Sequence, residues 1–391
     1  MSYLFSGDPK NDRNFLFGRH KVIEQFEKSI SDENRLIIIT GLRKTGKTSL
    51  IQSILADKMD YVIYIDLRDT GDMENIDREK TLNFFRIAIN RFLEKNQSFA
   101  GEIKHYLKMI RGINIQGVGI EFDHNSQSQI DLTEIFQKLN EWAKLRTRSL
   151  LLVIDEAQYL KKSTSFDMSA ILAGIFDKYR NLKIILTGSE MDLLFKFLGD
   201  EDPEASLNGK PRIEIELNPL NEDLCIQFLN RGLQERGFTI NQSNVAVIEY
   251  AAKSLGSRIG WLNEFGLKCV EQQNILKTFV DDIIEKRAAS SKKEFEKFLD
   301  GKKKKNYRDI IEYLANLDSQ FNFTKYFVDR PSTNLCVENL RRAGFIKNFQ
   351  GLYSINDHVL EYSFSMPDFD FKRSEIIKTA KLELRELKSK P

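Results

Sequence analysis

Two short stretches of this chain carry residue types that can handle a phosphate chain. The first, Gly41-Leu42-Arg43-Lys44-Thr45-Gly46-Lys47-Thr48-Ser49, has the spacing G-x-x-x-x-G-K-T and follows the apolar run Leu36–Thr40. Polyphosphate binding needs closely spaced backbone N–H donors, the positive end of a helix and a mobile cation. A strand, a glycine loop and a helix in this order supply all three. Gly41 and Gly46 let the backbone turn tightly, Lys47 reaches the β- and γ-phosphates, and the Thr48 hydroxyl binds Mg²⁺. The second stretch, Leu151-Leu152-Val153-Ile154-Asp155-Glu156, is an apolar strand ending in two carboxylates. Asp155 is assigned to Mg²⁺ and Glu156 to polarising the attacking water. Thr187-Gly188-Ser189-Glu190 ends a further apolar run. Ligands of open α/β sheets sit outside the carboxyl ends of strands, so Thr187 or Ser189 is a candidate γ-phosphate sensor, the alternative being a plain strand-terminating turn.

Elements must exist to hold these residues in place. Strand-like runs recur at Arg35–Thr40, Tyr61–Leu67, Ser149–Asp155, Lys183–Thr187 and Arg212–Leu217, with amphipathic helical patterns such as Thr81–Leu93 and Leu132–Leu145 between them. Four of the runs are almost continuously apolar, as expected for parallel strands buried on both faces, while the fifth alternates as an edge strand does. The expected fold is therefore α/β, a doubly wound parallel sheet over residues 1–218. A β-hairpin around Ile113–Phe122 is expected inside an insertion at 96–131, and 196–211 reads as a loop. Past Asn218-Pro219 the pattern turns helical, giving an expected α-helical lid over 219–300. Helices at Tyr307–Leu317, Thr324–Phe327 and Ser332–Ala343, followed by a small hairpin turning at Gln350-Gly351, match a winged helix over 301–373. A charged helix is expected over 374–391, at Ser374–Lys388.

Composition excludes several classes. Lys and Arg number 59 against 57 Asp and Glu, a formal charge of +2, so bulk charge argues for neither nucleic acid nor a membrane surface. No apolar run approaches the roughly 18 residues of a spanning helix, and the start lacks a basic leader. The three cysteines, Cys225, Cys269 and Cys336, stand apart in apolar contexts and read as reduced core thiols of a cytoplasmic protein. Four scattered histidines make no metal site.

With these residues in place the chain resembles the archaeal ATPase group of the STAND class of P-loop NTPases, within the broader AAA-like lineage. The resemblance rests on Asp8-Pro9-Lys10, Phe17-Gly18-Arg19, Gly41–Thr48, Leu152–Gln158, Gly188-Ser189-Glu190, Glu201-Asp202-Pro203-Glu204, Leu217-Asn218-Pro219-Leu220 and Gly256–Leu262. It implies ATP rather than GTP, and no guanine-reading N-K-x-D occurs. It further implies that Phe17, Gly18 and Arg19 line the adenine pocket and that ATP, bound between core and lid, biases the lid and winged helix until hydrolysis resets them. Two positions depart from the pattern. Gly209-Lys210 stands where relatives carry an Arg, so Lys210 is a weaker finger candidate, with Arg212, Arg180, Arg43 and Arg258 as alternatives. Ile259 stands where relatives place a Pro that packs on the base.

Two functions compete at this stage. One is a slow signal-transducing ATPase whose winged helix contacts a protein partner or a second copy in a homo-oligomer. The other is a DNA-binding ATPase of initiator, loader or transposition-helper kind. The modest basic excess after residue 300 lies largely in Lys302–Lys305, and Arg341, Arg342 and Lys347 offer only a small patch for duplex phosphates.

Overall fold

The computed structural model describes residues 3–56, 61–117, 119–123, 130–256, 258–300, 302, 304–316, 331–349 and 352–365. They form two compact units, one from Asp8 to Asn218 and one in which residues from Pro219 onward join those preceding Asp8.

The first unit is built on a parallel sheet of strands β1 (Leu36–Thr40), β2 (Val62–Asp66), β5 (Leu150–Asp155), β6 (Leu182–Gly188) and β7 (Ile213–Glu216), in the order β2-β5-β6-β1-β7. β1, β5 and β6 are buried at every position, as their largely aliphatic runs require, and β7 alternates at the edge. One face packs Ile37, Ile39, Val153 and Ile185 against α1 (His20–Ser31) and α2 (Lys47–Leu55). The other buries Ile38, Ile63, Leu152 and Ile184 under α3 (Arg78–Lys95), α4 (Gln97–Leu107), α5 (Leu132–Leu145), α6 (Met168–Lys178) and α7 (Met191–Leu198). The doubly wound sheet expected from the sequence is therefore present. Because β6 lies between β1 and β5, the ends of all three strands meet at one place.

The hairpin is also found, as β3 (Ile113–Gln116) paired antiparallel with β4 (Gly119–Phe122). Ile113, Ile120 and Phe122 are buried in the main core, so the insertion is part of the packing. Asn90 of α3 fastens it. Its amide donates to Ile120 O at 3.0 Å and accepts from Ile120 N at 2.7 Å, replacing the strand neighbour that β4 lacks on that side. The helix α4 ahead of the hairpin was not foreseen.

In the second unit α8 (Glu222–Glu235), α9 (Gln242–Leu255), α10 (Ile259–Gln272) and α11 (Lys277–Phe298) follow one another, α8 and α9 capped by Asn221 and Asn241. Phe5 fills the space between α8 and α10. A Cβ on Gly232 or Gly266 would lie 2.3 or 2.4 Å from its ring, so only glycine fits at either place. The neighbouring Ser6 is clamped by Asn263, which accepts from Ser6 N at 3.1 Å and donates to Ser6 O at 2.9 Å. The residues preceding Asp8 thus group with the second unit.

The boundary expected at residue 300 runs through shared packing. Phe295 and Phe298, at the end of α11, belong to the same core as Tyr307, Ile310 and Ile311 of α12 (Lys304–Ala315), Leu340 of the helix Pro331–Arg342, and Phe345. The wing is the antiparallel pair β8 (Ile346–Phe349) and β9 (Leu352–Ile355), followed by an unforeseen helix, His358–Phe364. Arg258 ties this helix to the lid. It donates to the partly exposed Glu294 at 2.8 Å and to Asp357 at 2.6 Å, the latter pair fully buried. Asp357 in turn accepts from Ser291 Oγ and caps the helix through Val359 N. The helices expected at Thr324–Phe327 and Ser374–Lys388 and the turn at Gln350-Gly351 lie outside the described residues.

Candidate nucleotide site

The glycine loop leaves β1 with Gly41 at φ +149°, passes its exposed tip at Arg43 and Lys44 (φ +65°), and enters α2 through Gly46 at φ +98°. A Cβ at 41 would lie 2.8 Å from Leu217 O and 3.0 Å from Thr45 Oγ1, so the backbone of the loop lies against the end of β7 because residue 41 has no side chain. Thr45 is buried and donates to Leu42 O at 2.8 Å, closing the loop on itself. Arg19 braces it from outside, donating to Asn218 O at 2.6 Å and Thr45 O at 3.2 Å. Ser49 and Ser53, on α2, hold the preceding segment through Lys10 N and Lys10 O, each at 3.0 Å. Gly18 turns at φ +68° immediately before Arg19.

Lys47 is buried and donates to Gly41 O at 2.7 Å and Leu42 O at 3.1 Å. Thr48 donates to Asp155 Oδ2 at 2.8 Å, joining the loop to the end of β5. The other oxygen of Asp155 accepts from Thr187 Oγ1, at the end of β6, and Thr187 accepts from Glu156 N at 3.0 Å. Tyr64 of β2 donates to Asp155 Oδ2 at 2.7 Å. Burial, followed by the charge of Asp155 and the hydrogen bond to it, drives the Tyr64 phenol well above its ordinary range, so it stays a donor.

Glu156 sits in the left-handed region, at φ +58°, which turns its carboxylate back over the strand ends. Oε2 accepts from Ser189 Oγ at 2.7 Å, Ser189 N at 3.1 Å and Gln158 Nε2 at 2.6 Å. Burial alone would raise its acid. The Lys47 ammonium, the Ser189 hydroxyl and the Gln158 amide outweigh that and hold it below the usual carboxylate range. Gln158 Oε1 is buried without a hydrogen bond, and a Cβ at Gly188 would come within 2.8 Å of it. Next to it Tyr159 donates to Glu190 at 2.8 Å.

The structure thus gathers Thr48, Asp155, Glu156, Thr187 and Ser189 into one hydrogen-bonded cluster, and the Lys47 ammonium, bonded to the Gly41 and Leu42 carbonyls, acts on Glu156 through its charge. It places Lys210 and Arg212 elsewhere in the same unit. Lys210 bonds both oxygens of Asp177 at 2.7 Å, and Arg212 makes a two-pronged pair with Asp200 at 2.7 and 2.8 Å. Ile259 opens α10 in the second unit, where Arg258 is bound to Glu294 and Asp357. Sequence reasoning missed Tyr64 and Gln158. The first had a signal, a lone hydroxyl in the aliphatic run Val62–Asp66; the second had none beyond nearness to Glu156.

Comparison with known proteins bears on the family and the fold. Residues 16–265 match the ATPase domain family found predominantly in Archaea. The Walker-type ATPase PABY2304 of Pyrococcus abyssi superposes with a TM-score of 0.72 at 26% identity, over 93% of this chain and 100% of that one. The ORC2 protein of Aeropyrum pernix, solved as ADPNP and ADP complexes, shares the fold at a TM-score of 0.53 and 10% identity, over 99% of this chain and 98% of that one. No curated protein matches the sequence. No helix among the described residues is long and apolar enough to cross a membrane. With its family profile spanning the loop, the paired carboxylates and the first lid helices, the chain belongs to the ATPase family found predominantly in Archaea and is a P-loop ATPase.

Proposed function

We propose that this protein hydrolyses ATP with Mg²⁺ in the cluster around Lys47 and Asp155, slowly, and that the bound nucleotide works as a conformational switch for the lid and winged helix. The observation that carries the reading is the meeting of Lys47, Thr48, Asp155, Thr187 and Glu156 at the ends of three neighbouring strands. The glycine cradle that a Cβ at 41 would fill fits a phosphate chain. Among the described residues no group of three or more acidic, His or Cys side chains could hold a metal. Thr48 and Asp155 alone suit Mg²⁺, which takes few protein ligands and completes its shell with phosphate and water. When bound, the ion neutralises charge on the β- and γ-oxygens.

The chain's own residues have separable tasks in this reading. The N–H groups of residues 41–49 and the Lys47 ammonium bind the phosphates. Glu156, ionised at neutral pH, orients a water and takes its proton. Thr187 bridges the Asp155 carboxylate and the Glu156 amide, so a change at one is felt at the other; Ser189 reports on Glu156 directly. Phe17, Gly18 and Arg19 are proposed for the base side of the pocket. Slow turnover follows from the hydrogen bonds that Lys47 and Glu156 must give up before they act.

For the winged helix, contact with a protein is favoured over duplex DNA. On the helix Pro331–Arg342, Arg341 is paired with Glu338 at 2.6 Å and Leu335 is 61% exposed, a face with little free positive charge for phosphates. The test is phosphate release by the full chain with and without Mg²⁺. Lys47→Ala is expected to lose nucleotide binding, and Glu156→Gln to keep binding while kcat falls by about 10²–10⁴-fold. Wild-type rates in both variants would remove the assignment. A salt-dependent shift of duplex DNA by the full chain would restore the DNA reading.

A further inference from the structure

Asp155 is held by three hydroxyls from three elements: Thr48 from α2, Thr187 from β6 and Tyr64 from β2. The threonines are accounted for by the proposed site, since Thr48 would be a ligand of the metal and Thr187 also takes the Glu156 amide. Tyr64 is not. Parallel pairing sets Tyr64 beside Val153 and Asp66 beside Asp155, so a long side chain leaning along β2 from position 64 ends at the Asp155 carboxylate. Its hydroxyl meets Oδ2, the same oxygen that accepts from Thr48. A carboxylate at a strand end has two soft torsions. A phenol fixed by a neighbouring strand restricts both.

We propose that Tyr64 is a positioning residue for the divalent cation: its hydroxyl holds Asp155 Oδ2 toward Thr48 and thereby sets the affinity of the pair for Mg²⁺. The inference rests on the proposed reading of Thr48 and Asp155. Outer partners of this kind orient ligands directly bonded to metals, and their loss typically weakens metal affinity or activity by about 10–100-fold. The bland alternative is a tyrosine that buries its ring and merely finds a partner for its hydroxyl. That alternative would register in stability and leave the metal untouched.

Tyr64→Phe separates the two, because it keeps the ring and removes one oxygen. The full chain is titrated with Mg²⁺ at fixed ATP, following both phosphate release and binding of a fluorescent ATP analogue, with Asp155→Asn in parallel and thermal melts of each. Expected for Tyr64→Phe is a rise of about tenfold in half-saturating Mg²⁺ in both readouts, with analogue binding in EDTA unchanged. A Mg²⁺ curve superimposable on wild type, with or without a lower melting temperature, overturns the proposal while Asp155→Asn still shifts its own curve. If neither variant shifts, the metal reading of Asp155 falls and this inference falls with it.

Discussion

Glu156 keeps its charge in a buried place because three groups compensate its desolvation, and the consequence is a pH dependence with a definite sign. Its acid is weaker as a proton binder in the folded chain than in the unfolded one, where 4.5 is the ordinary value. The unfolded state therefore takes up the proton first on acidification, so the stability contributed by ionised Glu156 is present above that value and lost as pH falls through the lower folded one. The Glu156-dependent part of ATP hydrolysis is expected to be lost only below the ordinary carboxylate range; Ser189→Ala, which removes one compensating group, is expected to shift that limb upward. A pH–rate profile of the two proteins checks this, and identical acid limbs would count against it. At Gly41 the constraint is steric. Gly41→Ala combines φ +149° with a Cβ 2.8 Å from Leu217 O, and nucleotide binding measured by calorimetry is expected to be lost. The loop, its lysine and the paired carboxylates were legible in the sequence because phosphate chemistry demands fixed residue types at fixed spacing. Tyr64 and Gln158 were not, because they reach the site through strand register and a backbone turn, neither of which leaves a spacing to read.

The same device fastens two otherwise unsupported segments. Asn90 and Asn263 each spend both ends of the amide on one residue's backbone, at Ile120 and Ser6, in place of a missing strand or helix neighbour. Asn90→Ala leaves the Ile120 N–H and C=O in a buried setting without that partner. A loss of about 1–3 kcal/mol in urea unfolding is expected, and a change within the error of the measurement would show that β4 finds support elsewhere. Around Phe5 the packing is tight rather than polar. Gly266→Ala is expected to cost about 1–3 kcal/mol by overpacking the ring, and much less in a Phe5→Ala background, where the new methyl has room. Additive losses in that double-mutant cycle would contradict the steric account. The five parallel strands, α5 and the hairpin were foreseen because their apolar periods match the faces they bury. The helices α4 and His358–Phe364 were not. α4 buries Ala100, Ile103 and Leu107 at the i, i+3, i+7 spacing of a helix, so its signal was in the sequence and was passed over for the hairpin that follows, while the second is only two turns long.

Across the second unit, Arg258 joins parts of the chain that the sequence separates into lid and winged helix. Arg258→Ala strands Asp357 at 1% side-chain exposure beside Glu294, and a loss of about 3–5 kcal/mol is expected in denaturant unfolding. A loss under about 1 kcal/mol would mean that water or Ser291 replaces the guanidinium. The boundary placed at residue 300 from sequence was drawn at a change in charge pattern, and Phe295, Phe298 and Arg258 carry the packing across it because buried contacts ignore such changes. A different consequence follows from Ser6 and Asn263, hydrogen-bonded to one another although 257 residues apart. During translation the segment with Phe5 emerges long before α10 exists, whereas every strand partner of the Asp8–Asn218 unit is already available once β7 has left the ribosome. The phosphate-binding unit can therefore mature early, whereas the segment holding Ser6 finds its place only once Asn263, 257 residues further on, has been made.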